Sequence, residues 1–473
     1  MTSNLDYDIV VIGCGVAGTS AALAAAEQAE VLNKKLKIAI LERSDFDHRG
    51  GNSRWTASYM RMKNLNEVAD NFVEDMLAFS DNFSDLRYVE TLAQEAGPTL
   101  QWLNQHGVEF DYLPTMFLTS NKPRLLPVGG GRAIIDTLAR KAGIQGVDII
   151  YEATAWNISL NEDGAVSRLN IRVKGGNSLE LKVGSVVLAA GGFQGNQRMM
   201  AQYIGRDAHK IPAVCKGGYF NSGEAIEMAL SIGAKSAGQF DSFHAEPVDP
   251  RSKREEAAVM LFPYAILVDQ NGKRFLDEGK TTIDEYYEEV ARKIFYDLPG
   301  HVAYMISDQT MYDIPNYEQA LETDKPAIVA NTLSELAELL NISAENLEET
   351  VQEFNMAVQD GIFDPLQKDG KKAIGITPEK SNWAIPITTG PFIAYPIACS
   401  NVFTNGGLAT NTDGAVYSND DESIPGLYAA GETAGLYYGK YPGGTSVLRG
   451  LVYGKRAGTH ASSYVIDTLG VKV

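Results

Sequence analysis

The sequence predicts an α/β chain. A Rossmann-like nucleotide-binding domain is written in two sequence pieces, and a second, α+β domain is inserted between them. Three observations predict this. The chain opens with strand, glycine turn, helix, strand and acid in direct succession; residues 237–385 differ in texture; and 386–473 return to the apolar, glycine-rich character of the start. At 473 residues the chain is long enough for two cores. The expected domains are 1–236, 237–385 and 386–473, the first and third forming one body.

The first element is the most informative. Tyr7 to Ile12 reads YDIVVI, a strand-length apolar run, followed by Gly13-Cys14-Gly15-Val16-Ala17-Gly18, a G-x-G-x-x-G. An Ala-rich helical segment leads to a second apolar run, Lys37 to Leu41, that ends in Glu42 and Arg43. Gly13 permits the tight turn out of the strand. Gly15 lets the backbone approach a pyrophosphate, and Gly18 lets helix and sheet pack closely. The first helical turn, Val16 and Ala17, offers free N–H groups and a positive dipole end to phosphates. Glu42 is placed to accept hydrogen bonds from ribose hydroxyls. A glycine turn without a ligand is the weaker reading, because strand, helix and acid all stand where a dinucleotide needs them.

The next elements extend the same pattern. Gly50-Gly51-Asn52-Ser53 reads as a turn bringing N–H groups and a hydroxyl near that ligand. Residues 84–106 have helical apolar spacing, which Gly97-Pro98 is expected to break into two helices. Gly129 to Arg132 opens another helix. Alternating stretches near 149–160, which contains Ala155, and 166–174 flank Asn161 to Gly164 and predict a hairpin. Val186 to Phe193 predicts a buried strand entering a glycine turn at Ala190, Gly191 and Gly192, with Asn196 just beyond. A helix is expected from about Ser222 to Ile232. In the inserted segment, YAILVDQNGKRF predicts a strand and turn, and TLSELAELLNISAENLEETVQEFNMAVQDG predicts helix. Pro425 to Glu432 predicts a strand ending at Gly431, and Tyr441-Pro442-Gly443-Gly444 a loop before a last helix that opens at Thr445, Ser446 and Val447. Only one complete dinucleotide motif is present, so one bound dinucleotide and a separate electron partner are expected.

The bulk numbers narrow the partners. A formal net charge of −19 disfavours nucleic acid and anionic membrane surfaces. Cys14, Cys215 and Cys399 are scattered and form no CxxC pair, which suits a reducing compartment. The opening MTSNLDYD lacks a basic and hydrophobic leader, and no apolar run reaches the ~18 residues of a membrane span. The expectation is a cytoplasmic protein. Six dispersed histidines show no metal-ligand spacing, so no metal is expected.

Taken in order, DIVVIGCGVAG, the Glu42 strand end, GGNS, the AAGGF strand, NGKRFLDEG, GLYAAGE and YPGGTSVLRG resemble one group. It is the flavoproteins related to fumarate reductase, 3-ketosteroid dehydrogenases and tricarballylate dehydrogenase. The resemblance covers essentially the whole chain. RGGNSRWTASYMRM, GGGRA and FHAEPVDPR look most like the tricarballylate branch. The resemblance implies a glutathione-reductase-like FAD-binding domain, a capping domain, and an active site at their junction. It also implies removal or addition of hydrogen across a carbon–carbon bond next to a carbonyl or carboxyl group. With no histidine in the GGNS turn, non-covalent FAD is implied.

Departures from the group bear on the substrate. Where fumarate reductases carry an arginine proton donor, the TTID stretch places Ile283. Phe403 stands at a histidine position, and Tyr441 at that of a substrate-binding arginine. Fumarate reduction is therefore not expected. Tyr441 before a glycine-rich loop is similar to the ketosteroid enzymes and is the first candidate for the proton step. The other reading is a ring lining the pocket. With an ordinary pKa of ~10, Tyr441 needs a cationic or hydrogen-bonding neighbour to act as a base. His244 is the second candidate. Arg251 and Arg449 are candidates for gripping a carboxylate or polarising a carbonyl, against surface or structural roles. Arg274 is assigned to structure, Glu432 to the FAD ribityl chain, and Arg43, Ala155 and Asn196 to further contacts with FAD. A tricarballylate-like polycarboxylate leads as substrate, with a cyclic ketone or steroid second and an electron-relay flavin subunit as a separate class.

Overall fold

YDIVVI is too apolar for a solvent-facing strand, and in the computed structural model it lies mid-sheet. The structure describes residues 6–112 and 124–470. Strand β1 (Tyr7–Ile12) has parallel neighbours on both sides, and Ile9, Val10 and Val11 are wholly buried. A strand covered on both faces reads as a continuous apolar run, which is how it appears in the sequence. The chain leaves β1 through the glycine turn into α1 (Val16–Val31) and returns as β2 (Ile38–Leu41).

Around this unit the sheet grows outward. Helix α2 (Leu86–His106) and helix α3 (Gly130–Ile144) precede β3 (Asp148–Ile150), which pairs parallel with β2. A hairpin of β4 (Thr154–Leu160) and β5 (Val166–Arg172) follows, and then the long β6 (Ser178–Leu188). The outer half of β6 pairs antiparallel with β5, and its inner half pairs parallel with β1. Near the C-terminus, β7 (Ala415–Tyr417) and β8 (Ser423–Ala429) complete the order β7-β8-β6-β1-β2-β3, and α4 (Ser446–Leu469) closes the unit.

Two local expectations are corrected here. The stretch from 149 is not one hairpin arm: 148–150 joins the parallel sheet and the hairpin starts at Thr154. Gly97-Pro98 does not divide 84–106, because α2 runs unbroken with Pro98 inside. A proline removes one helical N–H, but Leu92, Ala96, Leu100 and Leu103 form a continuous buried face that holds both halves in line. Gly97 serves packing: a Cβ there would lie 2.2 Å from the carbonyl oxygen of Asn66.

The Ala-rich composition of α1 is explained by α4. Gly450, Gly454 and Gly458 recur every fourth residue and so share one face. A Cβ added to each would stand, in turn, 2.9 Å from Val16 Cγ2, 2.3 Å from the Ala17 carbonyl oxygen and 1.9 Å from that of Ala21. The two helices touch backbone to backbone, which only glycine and alanine allow. Gly458→Ala is expected to destabilise the protein by ~1–3 kcal/mol through overpacking. Gly143→Ala, in α3 with nothing within 4 Å of the new Cβ, should instead stabilise by about 0.5–1 kcal/mol. Denaturant midpoints that move in the same direction would contradict this packing.

The chain divides into two compact units. One consists of 6–112, 124–244 and 402–470 among the described residues; the other is 245–401. The divisions fall later than the expected 236/237 and 385/386. The chain crosses them within continuous strands, Phe243–Val248 and Phe392–Thr404, which carry no turn signal. In the second unit, Phe392–Thr404 pairs with Val302–Asp308, and that strand with Ile266–Val268. Helix Ile283–Asp297 covers one face, where Leu267 and Met305 lie. Helices Leu333–Leu340 and Ala344–Ala357 cover the other, with Ile266, Val268 and Ile306.

Candidate functional site

The glycine turn after β1 is built around a space. Gly13 has φ +106°, and a Cβ there would fall 2.3 Å from the Ala189 carbonyl oxygen. Gly18 presses on the turn itself, 1.9 Å from Cβ position to the Gly13 carbonyl oxygen. Gly15 differs. Its φ is −72°, and its Cβ position faces Gly50 O and Ser53 Oγ, both at 3.5 Å. Gly15 caps α1 without any side-chain hydrogen bond, so the first helical N–H groups, with the positive helix end, are left for an anion.

Glu42 is fixed across this turn. Its Oε2 accepts the Cys14 N–H at 3.0 Å, and its Oε1 accepts both the N–H and hydroxyl of Ser44 at 2.9 Å. The carboxylate is 7% exposed and keeps lone pairs for ribose hydroxyls. Burial pushes the Cys14 thiol far up, so Cys14 is a small turn residue. Arg43 is turned to Glu224 and Ser222 and also donates to the Phe220 carbonyl. Ala155 is buried in β4 opposite Ile171.

Gly50 and Gly51, at φ +104° and +54°, start the short turn of Asn52 and Ser53. Asn52 donates to the Val402 carbonyl and accepts from the Cys215 thiol at 3.2 Å. A Cβ on Gly217 would sit 2.2 Å from the Gly51 carbonyl oxygen. The adjacent glycines Gly217 and Gly218 are the one sequence signal of that close approach, and sequence reasoning passed over them.

The turns after β6 and β8 meet at Glu432. A Cβ on Gly192 would lie 2.2 Å from Thr404 Oγ1 and 2.3 Å from Glu432 Oε1. Glu432 accepts the Thr404 N–H at 2.8 Å and the Gln194 side-chain amide at 3.4 Å. Gly191 packs on the Asn221 amide, 2.7 Å from Cβ position to Nδ2. Ala190, Gly191, Gly192, Gly431 and Glu432 are thereby brought together. Asn196 is not so placed: it caps a short helix by accepting the N–H groups of Arg198 and Met199, and donates to the Ser222 carbonyl.

Burial pushes the Glu432 carboxyl up to about 7, against the opposing Thr404 and Gln194 donors. Because the folded value lies above the ordinary 4.5, the stability tied to this group is complete below about pH 4.5 and is lost as pH rises through 7. In the protein without cofactor, Glu432→Gln should therefore stabilise at pH 8, by at most about 3 kcal/mol, and make little difference at pH 4.5. Equal melting shifts at both pH values would show that the carboxyl is not held in this way.

Beyond the glycine turns lies a group of four rings. Tyr441 has its centroid 4.5 Å from His244, 5.0 Å from Phe403 and 5.3 Å from Tyr437. His244 and Phe403 are 4.9 Å apart. The Tyr441 hydroxyl accepts the N–H groups of Thr445 and Ser446 at 2.9 and 3.0 Å and donates to Ser446 Oγ at 3.1 Å. It sits at the start of α4, where two donors and the positive helix end stabilise negative charge on an oxygen. Thr445, Ser446 and Val447 supply that start.

The arginines fare differently. Arg251, in the second unit, sends Nε and Nη2 to Asp249 at 3.0 and 2.7 Å. Two of its nitrogens are held by a carboxylate of the protein, a pairing within the second unit. Arg449 is 2% exposed, with Cζ 4.4 Å over the Tyr437 ring and Nη1 donating to the Ala434 carbonyl at 3.2 Å. Arg274 pairs with buried Glu278, a structural role. Ile283 is buried in the apolar core of the second unit.

The residues fit FAD. An uncapped helix end, a cradle free of side chains at Gly15 and a seated acid at Glu42 match pyrophosphate and ribose. Among the described residues no group of three or more His, Cys, Asp or Glu could hold a metal, and no helix is long and apolar enough to cross a membrane.

A family described as FAD binding domain matches residues 8–448. The vinyl phenol reductase of Lactiplantibacillus plantarum is 26% identical over 97% of this chain and 97% of its own. The open conformation of a flavocytochrome c3 fumarate reductase superposes with TM-score 0.80 at 25% identity, covering 98% of this chain and 79% of that one. The 3-ketosteroid Δ4-(5α)-dehydrogenase from Rhodococcus jostii RHA1 shares the fold, with TM-score 0.72, 24% identity and 98% of both chains covered.

Proposed function

The chain belongs to the FAD binding domain family and is an FAD-dependent oxidoreductase acting on carbon–carbon bonds, and from that premise we propose that its substrate is an uncharged conjugated molecule, a cyclic ketone or a vinyl-substituted aromatic. The observation that carries this is the ring group of His244, Phe403, Tyr437 and Tyr441. Phe403 and Tyr441 occupy the positions where the resemblance puts a histidine and an arginine for carboxylates. Aromatic faces favour a flat apolar partner over a polycarboxylate. The vinyl phenol named for the Lactiplantibacillus relative, similar along the whole chain, supports the same direction.

In this reading Gly13, Gly15, Val16, Ala17 and Gly18 hold the pyrophosphate, and Glu42 the ribose. Gly50 to Ser53, Ala190 to Gly192, Gly431, Glu432 and Thr445 to Val447 hold the rest of FAD non-covalently. FAD supplies the hydride acceptor or donor. Tyr441 moves the proton, its oxygen steadied by the Thr445 and Ser446 N–H groups, and His244 stands against it as positioning partner. Among the described residues, the unit of 6–112, 124–244 and 402–470 is the FAD body, and 245–401 the capping unit. The protein works in the cytoplasm with a separate electron carrier.

One observation favours a polycarboxylate instead. The guanidinium groups of Arg61 and Arg124 lie 3.8 and 3.4 Å from the Cβ position of Gly443, beside Tyr441 in sequence. An anaerobic screen separates the readings. Saturated cyclic ketones are expected to bleach the flavin and tricarballylate is not. Bleaching by tricarballylate alone would reverse the assignment, and a flavin that neither class bleaches and that no conjugated ketone or vinyl aromatic reoxidises would favour the electron-relay role.

A further inference from the structure

Arg449 is a buried cation with an incomplete set of partners. Its side chain touches the Tyr437 ring and one carbonyl; its Nε has no hydrogen-bond partner, and among the described residues no carboxylate lies within 4 Å of its guanidinium. A desolvated charge of this kind is costly, and removing it in favour of an apolar side chain is normally neutral or stabilising. The Tyr88 hydroxyl, buried and also without a partner, feels the same charge. Among the described residues the cation therefore has no carboxylate in contact; the buried Glu432 carboxyl feels its charge only from farther off.

The surroundings point to where the anion arises. Arg449 is one helical turn beyond Thr445, whose carbonyl accepts its N–H at 2.8 Å. Tyr437, the ring under the guanidinium, bonds through its hydroxyl to Thr445 Oγ1 at 2.8 Å. Thr445 opens the segment assigned to flavin contact. A hydride carries one proton and two electrons. Passed to the neutral oxidised flavin ring, it would give that ring one negative charge, while the neighbouring substrate carbon would lose its proton to Tyr441 or solvent as the carbon–carbon double bond forms. Negative charge on the flavin ring itself would thus arise only on reduction.

We propose that Arg449 is a positioning residue that acts through Tyr437 and Thr445 to favour the reduced, anionic state of FAD over the oxidised one. The proposal rests on the reading of Thr445 to Val447 as flavin contacts. It gives the buried charge an electrostatic role that the protein without cofactor does not use.

The test is the midpoint potential of bound FAD in wild type, Arg449→Met and Arg449→Lys, by anaerobic spectroelectrochemical titration. The Met variant keeps the stem and removes the charge. It should bind FAD but prefer the reduced form at least tenfold less than wild type, a shift of about 30 mV to more negative potential for a two-electron couple. The Lys variant should lie nearer wild type. Stripped of FAD, the Met variant should melt no lower than wild type. Arg449→Gln carries the same test if the Met variant does not fold. Wild-type potentials in the neutral variants with FAD retained would overturn this inference and leave the cofactor site standing. Wild-type protein without FAD would instead overturn the site.

Discussion

Gly15→Val should yield a folded protein that purifies without FAD. The expectation is sharp because the substitution costs the protein without cofactor little. Gly15 has φ −72°, which valine adopts readily, and its Cβ would meet only Gly50 O and Ser53 Oγ, at 3.5 Å. The valine methyls fill the space that the uncapped end of α1 leaves for pyrophosphate. FAD affinity should fall a hundredfold or more, ~3 kcal/mol, while the melting temperature without cofactor stays near wild type. Gly18→Val is the contrast. Its Cβ would stand 1.9 Å from the Gly13 carbonyl oxygen, so it should fail by unfolding. Stoichiometric FAD in folded Gly15→Val would remove the pyrophosphate from this turn.

Tyr441→Phe should keep FAD and lose the proton step. The phenyl ring preserves the contacts with His244, Phe403 and Tyr437, so the pocket wall is retained. What is lost is the oxygen that accepts the Thr445 and Ser446 N–H groups. Positioned acid–base groups contribute ~10²–10⁴-fold, and flavin reduction by substrate should slow on that scale in stopped flow. The protein without cofactor should also lose ~1–3 kcal/mol from the orphaned donors. Lost stability with an unchanged reduction rate would make Tyr441 a lid over the start of α4 and no proton carrier.

These two residues also mark how far the sequence could be read. The Gly15 turn was legible because strand, turn, helix and acid are contiguous, and each follows from local backbone needs. The loop at Tyr441 was legible as a position through family resemblance, but its ring neighbours were not. His244 and Phe403 are far from it in sequence, and only the crossing strands bring them to Tyr441. The Glu432 node combines 194, 404 and 432 for the same reason. Arg251 was legible as a candidate carboxylate grip, but nothing local says that Asp249, two residues away, turns back to hold two of its nitrogens. The glycines at 450, 454 and 458 carried a packing signal with helical period, but it acquires meaning only against the alanines of α1. Gly97-Pro98 shows the converse: a strong local breaker is overruled by a buried face extending past it on both sides.

The central claim is that this site moves a hydride to or from a carbon–carbon bond in an uncharged conjugated substrate. The most direct measurement is reoxidation of the chemically reduced enzyme, followed anaerobically by flavin absorbance, with 2-cyclohexenone or 4-vinylphenol in one set of runs and fumarate in the other. The account predicts rapid reoxidation by at least one of the uncharged compounds and none by fumarate within the same time. Reoxidation by fumarate with neither uncharged compound reacting would contradict it.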